Sequence, residues 1–244
     1  MHSKETPQEI IISGIDEAGR GCVLGPMVIA GIAIPREHED KLRKLGVKDS
    51  KQLSPQKREE LAKKIEEMAQ IIVLEVAPCK IDNYKAQGIS LNRLEAIKFA
   101  EILNLLKPHK AYIDAPDRNL PKLHGYLKKM SPEGVELVVE HFADSKYPTV
   151  SAASIIAKVE RDKKVEQLRK EYGDFGSGYT HDQVTVKWLE EWMKTHKELP
   201  DCARKSWITS EILVEKKQQS LLGSFLGKIR GADAKEGGKP PSSD

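Results

Sequence analysis

The chain has 244 residues, 39% of them hydrophobic and 32% charged, which suits a globular protein long enough to bury a sizeable core. No apolar run approaches the roughly 20 residues that a membrane helix needs, and MHSKETPQE at the start carries no hydrophobic signal region, so neither a span nor secretion is expected. Cys22, Cys79 and Cys202 lack metal-ligand spacing and suit a reducing cytosol, while a net charge of +3 is too small to name a partner.

In chain order, IIISGID (10–16) and MVIAGIAI (27–34) are apolar and β-branched with Gly and Pro between them, and are expected to be antiparallel neighbours. SPQKREELAKKIEEM opens with Ser54 as N-cap and Pro55 at the first helical position, and Leu61, Ile65 and Met68 recur at helical spacing. IIVLEVA (71–77) predicts a third strand. SLNRLEAIKFAEILNLL predicts a helix with Leu91, Leu94, Ile97, Ile102 and Leu105 on one face, ended by Pro108. AYIDA (111–115) and VELVVEHFA (135–143) predict short strands around a polar segment that could be helical. TVSAASIIAKVERDKKVEQLRKEY predicts a long helix whose small-residue first half packs closely, and DQVTVKWLEEWMKTH predicts another. Three early strands followed by helix–strand alternation suggest an α/β domain with a mixed sheet.

Four acids share one placement: Asp16 and Glu17 end the first strand, Asp114 ends AYID, and Asp144 ends VVEHFAD. Any one of them could be a turn former or a helix cap, but strand ends are where ligand sites gather in open α/β sheets. Clustered carboxylates raise one another's pKa unless a cation neutralises them. Oxygen ligands without His or Cys select Mg²⁺ or Mn²⁺ over zinc, and paired ions of this kind serve in-line phosphoryl displacement. Adjacent strand residues point to opposite faces. The strand is therefore expected to end at Asp16, with the turn at Ala18-Gly19 freeing Glu17 to reach the same side.

The stretches GIDEAGRG, DSK at 49–51, YIDAPD, ADSKYPTVSAASIIAK and GSGYTHD together resemble the ribonuclease HII family in its archaeal form, in order, from about residue 10 to 210. The resemblance implies a ribonuclease H-like fold with a helical C-terminal extension. It implies cleavage of RNA in RNA–DNA hybrids, and nicking 5′ to single ribonucleotides in duplex DNA, by two Mg²⁺ or Mn²⁺ ions. The family's metal ligands fall on Asp16, Glu17, Asp114 and Asp144. A cytoplasmic monomer is expected, with a catalytic domain over 1–215 whose extension starts near 182.

Such an enzyme must sense the 2′-hydroxyl, and a backbone that approaches a sugar closely needs glycine. By resemblance, the backbone of Gly19-Arg20-Gly21 reads that hydroxyl, Arg20 holds the phosphate region, and Tyr179, in a flexible Gly/Ser loop, stacks on the neighbouring sugar. Lys51 is a phosphate contact by family position; Lys146 is either a second or a solvated charge. His181 is a proton shuttle or, more simply, a solvent-facing loop residue. Arg204 and Lys205, in CARKSW, form a basic cluster that could track the DNA backbone. Trp207 either joins it or packs the extension onto the core. Cys22 reads as a small buried hydrophobe.

Beyond the catalytic domain, KKQQSLLGSFLGK (216–228) places Gln219, Leu222, Phe225 and Leu226 in the spacing of sliding-clamp (PCNA) binding peptides. A single helical turn would present Leu and Phe to an apolar pocket, although Leu226 stands where a second aromatic is usual. Docking of this segment on its own domain is the alternative. The remainder, 229–244, is rich in Gly, Pro, Ser and charge and is expected to be disordered.

Overall fold

The computed structural model describes residues 9–47, 53–117, 119–215 and 217–219. Five strands form one mixed sheet: β1 (Ile11–Ala18), β2 (Met27–Pro35), β3 (Gln70–Val76), β4 (Lys110–Asp114) and β5 (Glu136–Glu140), in the order β3-β2-β1-β4-β5. β2 runs antiparallel to β1, as expected, and also to β3, while β4 pairs with β1 and β5 with β4 in parallel. From Met27 to Ile34 every residue of β2 is buried. Such a strand reads as a continuous apolar run because helices cover both faces of the sheet.

On one face lies α4 (Leu91–Leu106), packing Phe99, Ile102 and Leu103 against Ile15, Ile29 and Ile113. On the other lies α7 (Pro148–Tyr172), with Ala152, Ala153 and Ile156 against Ile12, Val28 and Ala30. The small residues of α7 do bring it close: a Cβ on Gly14 would stand 2.2 Å from the carbonyl carbon of Thr149. Gly31 plays the same part on the opposite face, where a Cβ would meet Ile102 Cγ2 at 2.2 Å.

The helix expected from Ser54 is α2 (Pro55–Glu66), and the Ser54 side chain accepts from Lys57 N at 3.2 Å. α1 (Glu39–Lys44) and α3 (Pro78–Ala86) add to the expected set, and the polar segment before β5 is indeed helical, α5 (Leu120–Met130). The apolar face of α4 is rotated from the expected one, since Leu105 is 56% exposed while Leu106 is buried. β5 is shorter than expected and ends at Glu140, because Phe142 adopts a left-handed backbone (φ 57°) that no strand continues through. Asp144 therefore sits not at a strand end but in the first turn of a short helix, α6 (Ala143–Lys146).

A third cluster joins the β1–β2 connection to the C-terminal part of the chain. Val23 and Leu24 pack with Val165, Phe175, Cys202, Ala203 and Leu213, and with Leu189 and Met193 of α8 (Gln183–Thr195). Trp207 touches both this cluster and the α4-side core, so it packs the extension onto the body of the protein. No helix among the described residues is long and apolar enough to cross a membrane.

Candidate active site

The first strand does not end at Asp16. It continues through Glu17 and Ala18, which pair with Ile29 and Val28, so the two acids keep strict alternation. Asp16 turns to the α7 face, where Ser154 bonds its carboxylate, and Glu17 turns to the α4 face, where Glu95 is among its strongest charge neighbours. They share a site for another reason. Pairing between β1 and β4 stops at Ile15 with Ile113, so both acids border the place where those strands part, and Asp114 ends β4 beside them. Asp114 is held there by Ala143 N–H, which donates to its Oδ1 at 2.8 Å, and the same link seats α6 and Asp144.

Burial and then the Asp114 charge push the Asp16 carboxyl up to about 7, with Asp144 adding to the rise. Burial, then Asp16, Glu95 and Asp114, hold Glu17 well above the usual carboxylate range. Glu17 Oε2 is shut off from solvent and has no hydrogen-bond partner among the described residues. Among those residues no three His, Cys, Asp or Glu side chains converge tightly enough to hold an ion as they stand. What the arrangement supplies is carboxylates near enough to raise one another's pKa and an orphaned carboxylate oxygen, all hard donors. This fits a hard divalent cation, which would relieve the repulsion as the acids close on it.

Glu17 also lines a cleft of about 390 Å³ with Gly19, Arg20, Gly21, Arg58, Ser154, Lys158 and Tyr179. Gly19 has φ +82°, and a Cβ there would meet Arg161 Nε at 2.4 Å, so the turn admits nothing larger. At Gly21 a Cβ would meet no atom within 4 Å. Arg20 is anchored from α4: its Nε donates to Glu95 Oε1 at 2.8 Å and its Nη2 to Asn92 Oδ1 at 2.6 Å. Glu95 is fully buried, and burial carries its pKa to about 7 although Arg20 opposes the rise.

The loop that carries Tyr179, where its glycines suggested flexibility, is tied by side-chain hydrogen bonds. Asp182 accepts from Ser177 N and Oγ and from Val184 N, bonds that hold its carboxyl down to about 2. Arg161, 1% exposed, donates to Ser177 O at 2.9 Å and to Cys22 Sγ at 2.7 Å, and its guanidinium lies 4.9 Å from the Tyr179 ring centre. Cys22 is buried as expected, and burial raises its thiol pKa, which keeps it a neutral partner. His181 is exposed, 5.2 Å from the Tyr179 ring.

Arg204 does not track a duplex. It is completely buried, donating to the carbonyls of Gly19 (2.5 Å), Arg20 (2.7 Å) and Gly25 (3.2 Å), so it fastens the Gly-Arg-Gly turn from beneath. Lys205 beside it is exposed. Lys146 is paired with Glu140 at 2.5 Å. Lys51 and the expected clamp residues Leu222, Phe225 and Leu226 lie outside the described residues; Gln219 is described and exposed. Sequence reasoning passed over Arg58, Lys158, Glu95 and Asn92. Ser154 and Lys158 stand one turn apart on α7 and share the cleft, a signal the spacing held.

The profile of the family described as ribonuclease HII matches residues 13–210. The chain belongs to the ribonuclease HII family. It is therefore a metal-dependent nuclease that hydrolyses RNA in RNA–DNA hybrids. It is 47% identical over 204 residues to the ribonuclease HII of Archaeoglobus fulgidus, spanning 84% of this chain and 97% of that one. The ribonuclease H2 of Pyrococcus horikoshii superimposes with a TM-score of 0.81 at 42% identity, over 86% of this chain and 99% of that one. The Archaeoglobus protein, solved in complex with PCNA, gives 0.77 at 46% identity, over 83% and 96%. The ribonuclease H-like fold with its mixed five-stranded sheet is thus shared across the match.

Proposed function

We propose that the enzyme cuts the phosphodiester on the 5′ side of a ribonucleotide, both within RNA–DNA hybrids and at single ribonucleotides embedded in duplex DNA. One observation carries this: Glu17, whose ionisation the charges of Asp16 and Asp114 oppose, lines the same cleft as Gly21 and Tyr179. Asp16, Glu17, Asp114 and Asp144 would hold two Mg²⁺ or Mn²⁺ ions. Such ions, when bound, activate water and stabilise the attacking and leaving oxygens of an in-line displacement. Water adds at phosphorus, the bond to the 3′ oxygen breaks, and that oxygen leaves with a proton, giving 3′-hydroxyl and 5′-phosphate ends.

The chain's own residues supply selection. The fold does not require glycine at 21, since a Cβ there would touch nothing in the protein, so its smallness suits a close approach by substrate. A backbone bare of side chain beside Glu17 can meet the 2′-hydroxyl that distinguishes RNA. Arg20, fixed by Glu95 and Asn92, would hold the adjoining phosphate, and Tyr179, fixed by the loop bonds above, would pack on the neighbouring sugar. Lys51 and Lys205 are further backbone contacts in this reading, with Arg58 and Lys158 giving the cleft its positive wall. The test is a duplex carrying one ribonucleotide. A nick on its 5′ side that depends on Mg²⁺ or Mn²⁺ is expected, and equal cutting of an all-DNA duplex would refute the reading.

The tail would tether the enzyme to a sliding clamp through Gln219, Leu222, Phe225 and Leu226, which the PCNA complex of the Archaeoglobus relative supports. Phe225→Ala should lower clamp affinity without changing nicking of free duplex; unchanged affinity would remove the peptide. Removal of ribonucleotides from DNA and processing of RNA primers in the cytoplasm, by a monomer, is the work this chemistry suits.

A further inference from the structure

Two described residues other than glycine have a left-handed backbone, Lys107 and Phe142. Lys107 ends α4, where such a residue is ordinary. Phe142 has no such excuse. It lies between β5 and α6 with φ 57° and ψ 35°, angles a bulky side chain disfavours. Burial does not offset this, since the residue is 71% exposed. Among the described residues its ring neighbour is His141, 6.5 Å away and tilted by 57°.

The backbone here is held on purpose. Phe142 O accepts from Ser145 N–H at 3.1 Å and from Ser145 Oγ at 2.7 Å, and the next N–H, that of Ala143, is the donor to Asp114. The left-handed turn thus seats two of the four acids, which accounts for the conformation but not for the residue. Glycine or asparagine would make the same turn with less strain and no exposed ring. What phenylalanine alone adds is an exposed apolar ring at the start of α6, the helix that carries Asp144. The helix that follows Phe142, α6, lines a cleft of about 160 Å³ through Asp144, Ser145 and Lys146, the last paired with Glu140, and Arg43 lines it from α1. An exposed aromatic on the same surface element as a basic side chain, as Phe142 is with Lys146 four residues on, suits a nucleic-acid strand, whose phosphates meet charges while its sugars or bases meet the ring.

We propose that Phe142 is a second nucleotide-packing subsite, on the far side of the acids from Gly21 and Tyr179, taking the apolar face of a nucleotide in the bound strand. The proposal rests on the function proposed above. β5 stands two strands from β1 in the sheet, about 10 Å away. That is the span of about three nucleotides at 3.4 Å each, so the contact falls some two to four positions from the ribonucleotide.

The experiment uses full-length enzyme and single-ribonucleotide duplexes in which one flanking nucleotide at a time is replaced, either by an abasic deoxyribose or by a three-carbon spacer that also lacks the sugar ring. With wild type, one position should raise KM by about fivefold or more. Loss with both replacements marks a base contact, and loss with the spacer alone marks a sugar contact. Phe142→Ala should raise KM on intact duplex by the same factor, with kcat changed far less, and should no longer respond to the replacement. Phe142→Trp should keep the wild-type pattern. Phe142→Gly, relieved of the strained backbone, should melt no lower than wild type yet share the KM rise, which separates binding from folding. The proposal is overturned if Phe142→Ala and wild type have the same KM, or if every replacement costs both equally. Wild type that cuts no ribonucleotide-containing duplex would instead bring down the proposed function, and the subsite with it.

Discussion

Two glycines seven residues apart in the chain, Gly14 and Gly21, should respond in opposite ways to a single methyl group. On Gly14 the added carbon would lie 2.2 Å from Thr149 C, 2.3 Å from Val150 N and 2.4 Å from Thr149 O. All three are backbone atoms in the first turn of α7, so no rotamer change makes room, and the strand and helix must part by about an ångström to restore ordinary contact. Overpacking in a close-packed core costs roughly 1–3 kcal/mol, and a rigid obstacle puts Gly14→Ala near the top of that range. For a chain of this size the melting temperature should fall by about 6–12 °C. Activity should fall further than stability, because Asp16 lies on the same face of β1 and bonds Ser154 on the same face of α7. On Gly21 the methyl meets nothing within 4 Å, so Gly21→Ala should melt within about 1–2 °C of wild type. Its KM for a single-ribonucleotide duplex should nevertheless rise about tenfold or more, as a displaced 2′-hydroxyl contact would require. Calorimetry and steady-state nicking measure both. A Gly14→Ala protein that melts like wild type would refute the packing argument; a Gly21→Ala protein with wild-type KM would reduce that glycine to a plain turn.

Three further outcomes are expected. Asp16 titrates near 7 when folded and at 3.8 otherwise, so metal-free protein should lose stability as pH rises from about 4 to 7 and hold level above. Asp16→Asn keeps an acceptor for Glu17 N–H but carries no charge. In EDTA it should therefore resist urea better than wild type at pH 8, by about 1–3 kcal/mol of the roughly 4 kcal/mol that such a shift allows, equal it at pH 4, and nick nothing; no gain at pH 8 refutes the repulsion. Arg204→Met would strand three buried carbonyls and should cost about 3–5 kcal/mol in urea unfolding, with Arg204→Lys recovering only part because it cannot fork; a loss below about 1 kcal/mol would mean those bonds do not hold the turn. Lys158→Ala should reduce the salt dependence of substrate binding by about one unit of log–log slope, and an unchanged slope would remove Lys158 from the phosphate path.

How much of this was legible beforehand follows from which partners a residue has. The acids could be found because each carries its own chemistry and closes an apolar run, and GIDEAGRG, YIDAPD and ADSKYP are specific enough to bring all four together. How Asp16 and Glu17 share a site was misread, because the answer lies not in a turn after Asp16 but in the point where β4 stops pairing with β1, almost a hundred residues away in sequence. Local pattern cannot locate the end of a non-local ladder. Arg161 and Arg204, the two arginines almost wholly shut off from solvent among the described residues, fail for a different reason. Arg204 looked like a surface cation because its acceptors are the carbonyls of Gly19, Arg20 and Gly25, and Arg161 bonds another carbonyl and a thiol. Every residue has a carbonyl, so such a partner leaves no mark in the sequence, whereas the Arg20–Glu95 pair does: a Glu between Leu94 and Ala96 on a buried helix face demands a cation. Two kinds of basic residue thus surround the cleft. Those bonded to backbone, Arg161 and Arg204, shape the loops that carry Gly19 and Tyr179, and their loss should appear first in unfolding. Lys158, whose side chain is 35% exposed and among the described residues pairs with the surface carboxylate of Asp162, can exchange that partner for a phosphate, so its loss should appear first in the salt dependence of binding.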